Sequence, residues 1–245
     1  MKEIRALTGL RGIAAVWVLL LHFGDELTTF APAFGCLEPF YSKGHHGVDL
    51  FFVLSGLIIT YVYQRVESWD VENGVDFIVK RLARIYPVHL ATLLFLALMV
   101  TLASAAGIQL GGDYSVGEFF IHLFLLHGFQ TELSWNYPSW SISSEFFAYV
   151  VIFPISCWLS NLQVVKRYGV GCSFTLLLFY VALNSWFSFG MWSNSLRVSF
   201  EFLSGSALCL GLLHSPIVGR QFQRLLPMTL VVFTAICFVP NSFLS

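Results

Sequence analysis

The order of apolar and polar positions predicts a chain that crosses a membrane several times. Long apolar runs recur along the sequence and are separated by shorter polar segments. An α-helix needs about 20 mostly apolar residues to cross ~30 Å of hydrocarbon. The runs are continuous rather than alternating in short segments, and this pattern favours helices over a β-barrel. We therefore expect an all-α fold, a polytopic transmembrane helical bundle of about 7–8 spans, in a single domain over residues 1–245.

The limits of the apolar runs place the individual spans. Thr8 is a suitable N-cap for the first span. Pro87 is placed in the first turns of the third span, where a missing N–H group is tolerated. Residues 25–43 contain prolines and a glycine and are expected to form a loop. The expected spans are residues 8–23, 44–63, 81–106, 145–159, 169–187, 196–213 and 225–239, and a shorter apolar stretch covers residues 116–129.

The distribution of lysine and arginine decides the path of the short stretch, because cytoplasmic loops are enriched in these residues. If all eight stretches span and the N-terminus is cytoplasmic, seven basic residues other than Arg11 lie inside and five outside. If residues 116–129 instead enter and leave on one side, the outer residues are Lys43 and Arg197, and the ten inner ones are Lys2, Arg5, Arg65, Lys80, Arg81, Arg84, Lys166, Arg167, Arg220 and Arg224. The stronger bias predicts a re-entrant segment at 116–129 and a cytoplasmic N-terminus.

Composition narrows the class of protein further. Hydrophobic residues make up 57% of the chain and charged residues 11%, whereas soluble domains are about 25% charged. The formal net charge is −1 and no basic block occurs, so nothing suggests nucleic-acid binding. The five cysteines show neither CxxC nor metal-site spacing, and we expect no metal. The first apolar run ends in HFGDE rather than a small-residue cleavage site, which indicates a retained span.

The first candidate for chemistry is a pair of polar residues in the first span. Arg11 and His22 are eleven positions apart, so they share one helix face at a separation of roughly 16 Å. A cation and an imidazole are costly to place in an apolar helix without a purpose or a partner. They are therefore candidate catalytic residues. The alternative is that Arg11 extends to the headgroups while His22 bonds to a neighbouring helix.

A second candidate lies at the cytoplasmic start of the third span. Arg81 and Arg84 are three positions apart and would be neighbours on one helix face. Two guanidinium groups can hold a phosphate or pyrophosphate through forked, charge-assisted hydrogen bonds. The alternative is ordinary anchoring of the helix to lipid headgroups.

A third candidate is Glu145 in the stretch PSWSISSEFF. We place it just inside a helix start, where the helix dipole favours a carboxylate, with Ser141 or Ser144 as the cap. In the functional interpretation Glu145 orients or charges His22. In the structural alternative it is only a capping carboxylate.

The remaining ionisable residues are weaker candidates. Arg197 and Glu201 are four positions apart on one apolar helix, the spacing of a structural ion pair. Asp49 begins the second span and is interpreted as an N-terminal cap. Adjacent His45 and His46 lack a carboxylate at metal-ligand spacing. We keep one further alternative, a haem held by paired histidines, and we treat Asp49, Ser141, Arg197 and Glu201 as supporting residues.

Together these motifs resemble the integral-membrane acyltransferase family 3, whose members acylate surface polysaccharides, lipopolysaccharide, peptidoglycan and exported small molecules. The matching pieces occur in the family's order and cover residues 5 to about 213. They are LTGLRGIAAVWVLLLHF, GVDLFFVLSGLIIT, RLARIYP, PSWSISSEFFAYVVIFP and RVSFEFLSGSALCLG. The pairing of GVDLFFVLSG with an arginine and a histidine separated by ten residues is the most specific of these signals.

The resemblance implies transfer of an acyl group, commonly acetyl from acetyl-CoA, to a hydroxyl of a cell-surface glycan or exported molecule. It implies that His22 is the essential histidine, acting as a base or an acyl relay, that Arg11 is its partner, and that Glu145 belongs to the site. Arg81 and Arg84 would meet the phosphates of acyl-CoA, which is a co-substrate rather than a bound cofactor. The implied location is the bacterial cytoplasmic membrane, with acyl-CoA, a glycan or lipid-linked acceptor and membrane lipids as partners.

The chain departs from the family pattern in two respects. Phe146 follows Glu145 where the family usually has another acidic or polar residue. The chain is also shorter than most members, so we interpret it as a short variant or a truncated reading frame. The alternatives to an enzyme are a transporter with a charged path through the membrane and an inactive relative.

Overall fold

The computed structural model describes residues 5–63, 70–129, 135–186 and 193–214. Helices account for all of the long elements in these ranges, and we number the α-helices in chain order. They are α1 (Arg5–Phe30), α2 (Glu38–Tyr41), α3 (His46–Tyr63), α4 (Val71–Ala105), α5 (Val116–Leu123), α6 (Trp140–Phe147), α7 (Phe153–Leu159), α8 (Gln163–Trp186) and α9 (Ser193–His214). A π-helical turn, Ala148–Ile152, joins α6 to α7, so these two form one continuous rod.

Six helices in the described ranges are long and apolar enough to cross a membrane. They are α1, α3, α4, the α6–α7 rod, α8 and α9, and each coincides with an expected span. The prediction of an all-α, polytopic bundle is therefore confirmed. The expected span at residues 225–239 lies outside the described residues.

Several helix limits differ from those expected, because hydropathy reports the part of a helix in contact with lipid rather than the whole helix. Helix α1 continues to Phe30, so only the second part of the expected 25–43 loop lies outside it. Helix α4 begins ten residues earlier than expected. Its N-cap is Asp70, whose side chain accepts a hydrogen bond from the backbone N–H of Asn73 at 2.8 Å. The placement of Pro87 in the first turns was therefore wrong, since Pro87 lies inside α4.

The short apolar stretch at 116–129 does not form a span. Helix α5 has only eight residues and is about 12 Å long, too short to cross the hydrocarbon. The chain then reverses at Leu125, which has a positive φ of 58°. The Tyr86 hydroxyl donates to the Leu123 carbonyl at 3.1 Å, which fixes the tip of the segment against the middle of α4. The prediction that this stretch does not cross the membrane simply is confirmed.

The centre of the bundle is α3, packed between α9 and α1. Helices α3 and α9 approach closely because each presents a glycine to the other's backbone: a Cβ atom on Gly56 would meet the Phe202 carbonyl, and one on Gly205 would meet the Val53 carbonyl. Small residues at helix contacts are typical of membrane bundles. The buried core around this contact comprises Phe52, Ile59, Phe77, Ala148, Tyr149, Ile152, Phe153, Val198 and Phe202.

The outer faces of the helices are apolar and exposed. On α1 the exposed stripe contains Ile13, Val16, Leu19 and Phe23, each more than half exposed. Helix α4 carries a similar set, Val88, Leu94, Phe95, Leu98 and Leu102. Large contiguous apolar surfaces are unusual on soluble monomers, so these faces indicate contact with lipid or with further helices. The structure thus supports an integral membrane protein.

Candidate active site

A buried network of hydroxyls and a carboxylate lies where the α6–α7 rod crosses α3. The Ser55 hydroxyl donates to Glu145 Oε1 at 3.2 Å, and the Tyr149 hydroxyl donates to the same oxygen. Ser55 and Tyr149 are 4% and 3% exposed. On this side, the Glu145 carboxylate is therefore hydrogen-bonded to protein groups instead of water. Hydrogen bonds to a carboxylate in such surroundings are among the stronger protein interactions. Glu145 is therefore oriented by groups from two helices.

The expected cap of this helix is wrong. Helix α6 begins at Trp140, after a 3-10 turn at Tyr137–Ser139, and its N-cap is Ser139 without a side-chain cap hydrogen bond. Ser141 donates weakly to the Pro138 carbonyl at 3.5 Å, and the buried Ser144 hydroxyl has no hydrogen-bond partner within the described ranges. Glu145 is thus the sixth residue of the helix, beyond the first turn in which a capping carboxylate acts.

Arg81 lies in a box of three aromatic rings at one end of this network. Its guanidinium carbon is 5.7 Å from the ring centroid of Tyr63, 5.3 Å from that of Phe77 and 5.8 Å from that of Tyr149. Cation–π contacts of this kind hold a guanidinium in place without neutralising it. The Arg81 Nε atom is buried and has no hydrogen-bond partner among the residues that the structure describes. Arg84, one turn further along α4, is exposed.

Arg11 approaches the network from α1. Its guanidinium carbon lies 5.9 Å from the ring centroid of Phe51, one helical turn before Ser55. The Tyr149 hydroxyl is within electrostatic range of Glu145, Arg81 and Arg11. The structure therefore brings together three of the residues singled out from the sequence, Arg11, Arg81 and Glu145, around a tyrosine that was not singled out.

His22 lies apart from this network, on the exposed side of α1. Its Nδ1 atom is 2.8 Å from the carbonyl oxygen of Val18. The expected pairing of Glu145 with His22 is not formed, because the hydrogen bonds of Glu145 go to Ser55 and Tyr149. A carbonyl oxygen can only accept, so Nδ1 carries the hydrogen and the lone pair of His22 is on Nε2.

A second ionic cluster joins the N-terminal ends of α3 and α9. The Arg197 Nε atom donates to Asp49 Oδ1 at 2.6 Å and to Glu201 Oε1 at 3.2 Å, and Arg197 Nη2 also contacts Asp49. Asp49 accepts a further hydrogen bond from His46 Nδ1 at 2.9 Å. The pairing of Arg197 with Glu201 agrees with the spacing in the sequence. The role of Asp49 as a simple helix cap does not, because its carboxylate is occupied by Arg197 and His46.

Three histidines form a buried stack that the sequence did not indicate. The rings of His122 and His127 are parallel within 8° with centroids 4.2 Å apart, and those of His127 and His89 are parallel within 5° at 5.4 Å. His127 Nε2 lies 2.9 Å from the Ser139 hydroxyl oxygen, and His89 Nε2 lies 2.8 Å from the His122 carbonyl. The stack forms because the chain reverses at Leu125, and helical spacing does not predict such a reversal.

The histidine stack does not have the geometry of a metal site. Parallel rings direct their nitrogen lone pairs side by side rather than toward one point, whereas a bound metal needs ligands that converge. Among the residues that the structure describes, no group of three or more His, Cys, Asp or Glu side chains could hold a metal ion.

The fold and these clusters define a polytopic helical membrane protein that holds ionisable side chains between its spans. A family profile described as an acyltransferase domain, acyltransferase 3, matches residues 4–244, so the chain belongs to that family. The family assignment made from the sequence motifs is thereby confirmed.

One similar protein is Acyltransferase MdmB of Streptomyces mycarofaciens, which is 32% identical over 170 residues. The similarity covers 67% of this chain and 42% of the relative, so the matched region spans less than half of the relative's length. No solved structure is significantly similar to the chain.

Proposed function

We propose that this protein transfers an acyl group, most simply acetyl, from acyl-CoA to a hydroxyl of a cell-surface glycan or exported molecule. Membership of the acyltransferase 3 family supports the class of reaction. The structural observation that carries the proposal is Arg81, whose guanidinium is held by three aromatic rings and whose buried Nε atom lacks a hydrogen-bond partner in the described part of the chain. Within the described chain Arg81 forms no ion pair. Such a group calls for an anionic ligand.

The phosphates of acyl-CoA would supply that anion. Arg81 lies near the C-terminal end of α3, where it contacts Tyr63, and with a cytoplasmic N-terminus this end of α3 faces the cytoplasm. Arg84, one turn further along α4 and exposed, would add a second contact to the same charged donor. Fork-shaped guanidinium groups suit phosphate recognition.

His22 would carry the chemistry because its tautomer suits a base or a nucleophile. With Nδ1 donating to the Val18 carbonyl, Nε2 has the lone pair that either role requires. As a base it takes the acceptor's hydroxyl proton while the new C–O bond forms and the C–S bond of the thioester breaks. As a relay, Nε2 itself attacks the thioester and later passes the acyl group to the acceptor.

Arg11, Glu145 and Tyr149 would stabilise charge along the route between donor and acceptor. Arg11 is a cation inside the bundle and would stabilise negative charge of the acyl donor on its way to His22. Glu145 is held by Ser55 and Tyr149 and would act by ordering this region. Ser141, Asp49, Arg197 and Glu201 would support the helices that surround it. We place the protein in the cytoplasmic membrane of a bacterium with its N-terminus inside.

Acyl transfer from radiolabelled acetyl-CoA tests the proposal in membranes that contain cell-envelope acceptors. We expect His22→Ala to lose activity by about 10²-fold or more, the usual contribution of a base or nucleophile. We expect Arg81→Ala to raise the KM for acetyl-CoA about tenfold, with partial recovery at high donor concentration. Arg84→Ala is the matched control and should change KM less, because Arg84 lacks the aromatic box that orders Arg81.

Protein abundance and thermal stability of each variant are measured alongside activity. Absence of histidine-dependent label from a stable wild-type protein would overturn the proposal. Solute flux that needs no acyl donor would instead support a transporter.

A further inference from the structure

A phenol in the buried network contacts a cation and a carboxylate at the same time. The ring centroid of Tyr149 is 5.8 Å from the guanidinium carbon of Arg81, and the Tyr149 hydroxyl donates to Glu145 Oε1. Tyr149 is 3% exposed, so water does not screen the two charges at this side chain. The charge of Arg81 also acts on the Tyr149 hydroxyl more strongly than that of Arg11 does. Tyr149 thus links two opposite charges without either of them touching the other.

Opposite charges that share a neighbour in apolar surroundings would ordinarily form an ion pair. Coulomb attraction is many times stronger there than in water, and charges buried in proteins are normally paired. Arg81 and Glu145 both lie within the described ranges, and no ion pair joins them. Something in the structure therefore favours the separated arrangement over the pair, and the side chain that contacts both groups is Tyr149.

Tyr149 compensates the two charges separately. Its ring face attracts the Arg81 guanidinium, and a cation–π contact holds a cation without neutralising it. Its hydroxyl gives the Glu145 carboxylate a charge-assisted hydrogen bond, and the Ser55 hydroxyl gives a second one to the same oxygen at 3.2 Å. Because donors already stabilise the carboxylate, Glu145 gains less from moving to the guanidinium.

Packing fixes the phenol in this position. Tyr149 is the second residue of the π-helical turn Ala148–Ile152, four positions after Glu145. Its ring meets that of Phe77 edge to face, with centroids 5.8 Å apart and an interplanar angle of 81°. Phe77 also contacts the Arg81 guanidinium, at 5.3 Å. A side chain that is locked by its neighbours can hold functional groups in a defined geometry.

We propose that Tyr149 is a positioning residue that keeps Arg81 from pairing with Glu145, so that the guanidinium can bind the phosphates of the acyl donor. This inference rests on the function proposed above, and it explains why the donor-binding cation is not neutralised by a carboxylate of the same protein. Without the phenol hydroxyl, Glu145 turns toward Arg81 and competes with the phosphates. Tyr149 therefore acts through Arg81, on donor binding rather than on the chemical step.

Equilibrium binding of radiolabelled CoA to the purified protein in detergent tests this role. Tyr149→Phe keeps the ring over Arg81 and removes the hydrogen bond to Glu145, so we expect the dissociation constant to rise about tenfold, equivalent to ~1.4 kcal/mol. In the Glu145→Gln background the same change should alter the constant by less than about twofold, because an amide cannot form an ion pair. Tyr86→Phe is the matched control. It removes a phenol hydroxyl that donates to the Leu123 carbonyl at 3.1 Å, and it should leave CoA affinity at the wild-type value.

Ser55→Ala provides a second variant, which keeps the prediction testable if Tyr149→Phe does not fold. It removes the other hydrogen bond to Glu145 Oε1 and leaves the aromatic box unchanged. CoA affinity should fall in the same direction, by about threefold or ~0.7 kcal/mol, and this loss should also disappear in the Glu145→Gln background. In steady-state transfer from acetyl-CoA, both variants should raise KM and leave kcat close to the wild-type value, as expected when only binding is weakened.

The outcomes separate this inference from the proposed function. If the wild type binds no CoA, the proposed donor fails and the inference fails with it. If the wild type binds CoA and a stable Tyr149→Phe variant binds it equally well, the role of Tyr149 is overturned and the acyltransferase proposal stands. An equal loss of affinity in the wild-type and Glu145→Gln backgrounds would also overturn the role, because the effect would then come from packing and not from the carboxylate.

Discussion

At the scale of single residues, the bundle places one cation between two carboxylates. Glu201 is 3% exposed, and its Oε1 atom accepts a hydrogen bond from Arg197 Nε at 3.2 Å. Removing one member of a buried ionic cluster is far more costly than the cluster is worth, because the remaining charges lose their compensation. Arg197 therefore stabilises the contact between α3 and α9, a role that the sequence of α9 alone does not show.

The histidine stack makes stability depend on pH. Burial lowers the pKa of His127 to about 3, with the charge of His122 adding to the shift. Burial also lowers the pKa of His122. Since both values lie below the ordinary ~6.5, protons bind preferentially to the unfolded chain. The contribution of His127 to stability is therefore complete above about pH 6.5 and falls as the pH decreases toward 3, by up to about 1.4 kcal/mol per pH unit, and His122 acts in the same direction.

We expect the melting temperature in detergent to fall as the pH is lowered from 7.5 to 5. The His127→Gln variant should show a smaller change of melting temperature per pH unit. Glutamine stays neutral and can still bond to Ser139. His214→Gln at the exposed end of α9 is the control and should keep the wild-type slope. If the melting temperature of His127→Gln depends on pH as strongly as that of the wild type, the histidine stack is not the source of the pH dependence.

At the scale of elements, the π-helical turn Ala148–Ile152 follows from the sequence around it. Pro154 lies in the first turn of α7 and lacks the N–H group that would bond to a carbonyl one turn earlier. The wider turn accommodates this loss, and π-helical turns are frequent at functional sites. Here the turn contains Tyr149, and it places the phenol against Glu145 on one side and Arg81 on the other.

The contact of α3 with α9 depends on glycine and can be tested by adding one methyl group. Gly205→Ala should destabilise the protein by roughly 1–3 kcal/mol through overpacking, because its Cβ would meet the Val53 backbone. Gly171→Ala on α8 is the matched control, since nothing lies within 4 Å of its Cβ position. It should be neutral or stabilising by up to about 1 kcal/mol through helix propensity. Thermal unfolding measures both, and equal shifts would contradict the packing described here.

At the scale of the whole molecule, the number of crossings determines which loops share a side. Between Cys36 and Asn161 the chain passes through α3, α4 and the α6–α7 rod. Three crossings place these two positions on opposite sides of the membrane. A spanning segment at 116–129 would have added a fourth crossing and placed them on the same side.

Cys36 is an exposed, free thiol and allows a direct test of this arrangement. With the other four cysteines replaced by alanine, Cys36 should react with a membrane-impermeant maleimide added outside intact spheroplasts. The Asn161→Cys variant, made in a background that also lacks Cys36, should react only after permeabilisation. Reaction of both from outside would contradict the re-entrant path, and the reverse pattern would invert the proposed orientation.

The sequence alone determined which segments are helices in contact with lipid and where costly polar groups lie along them. These are local properties, because the transfer free energy of each side chain depends little on its distant neighbours. The six spans and the residues Arg11, His22, Arg81, Glu145, Arg197 and Glu201 were all found in this way. The family motifs added the class of protein. The non-spanning path of 116–129 also followed, because the count of basic residues is independent of packing.

Only the tertiary structure decided which of these groups meet. Ser55 and Glu145 are 90 positions apart, and Asp49 and Arg197 are 148 apart. The separation of His22 from Glu145, the orientation of His46 and the histidine stack depend on how far each helix is rotated and shifted along its neighbour. Hydropathy does not specify how an apolar helix is rotated or shifted against its neighbours. The transfer free energy of the whole helix is nearly the same in each of these arrangements. Close contacts such as those at Gly56 and Gly205 select among these arrangements.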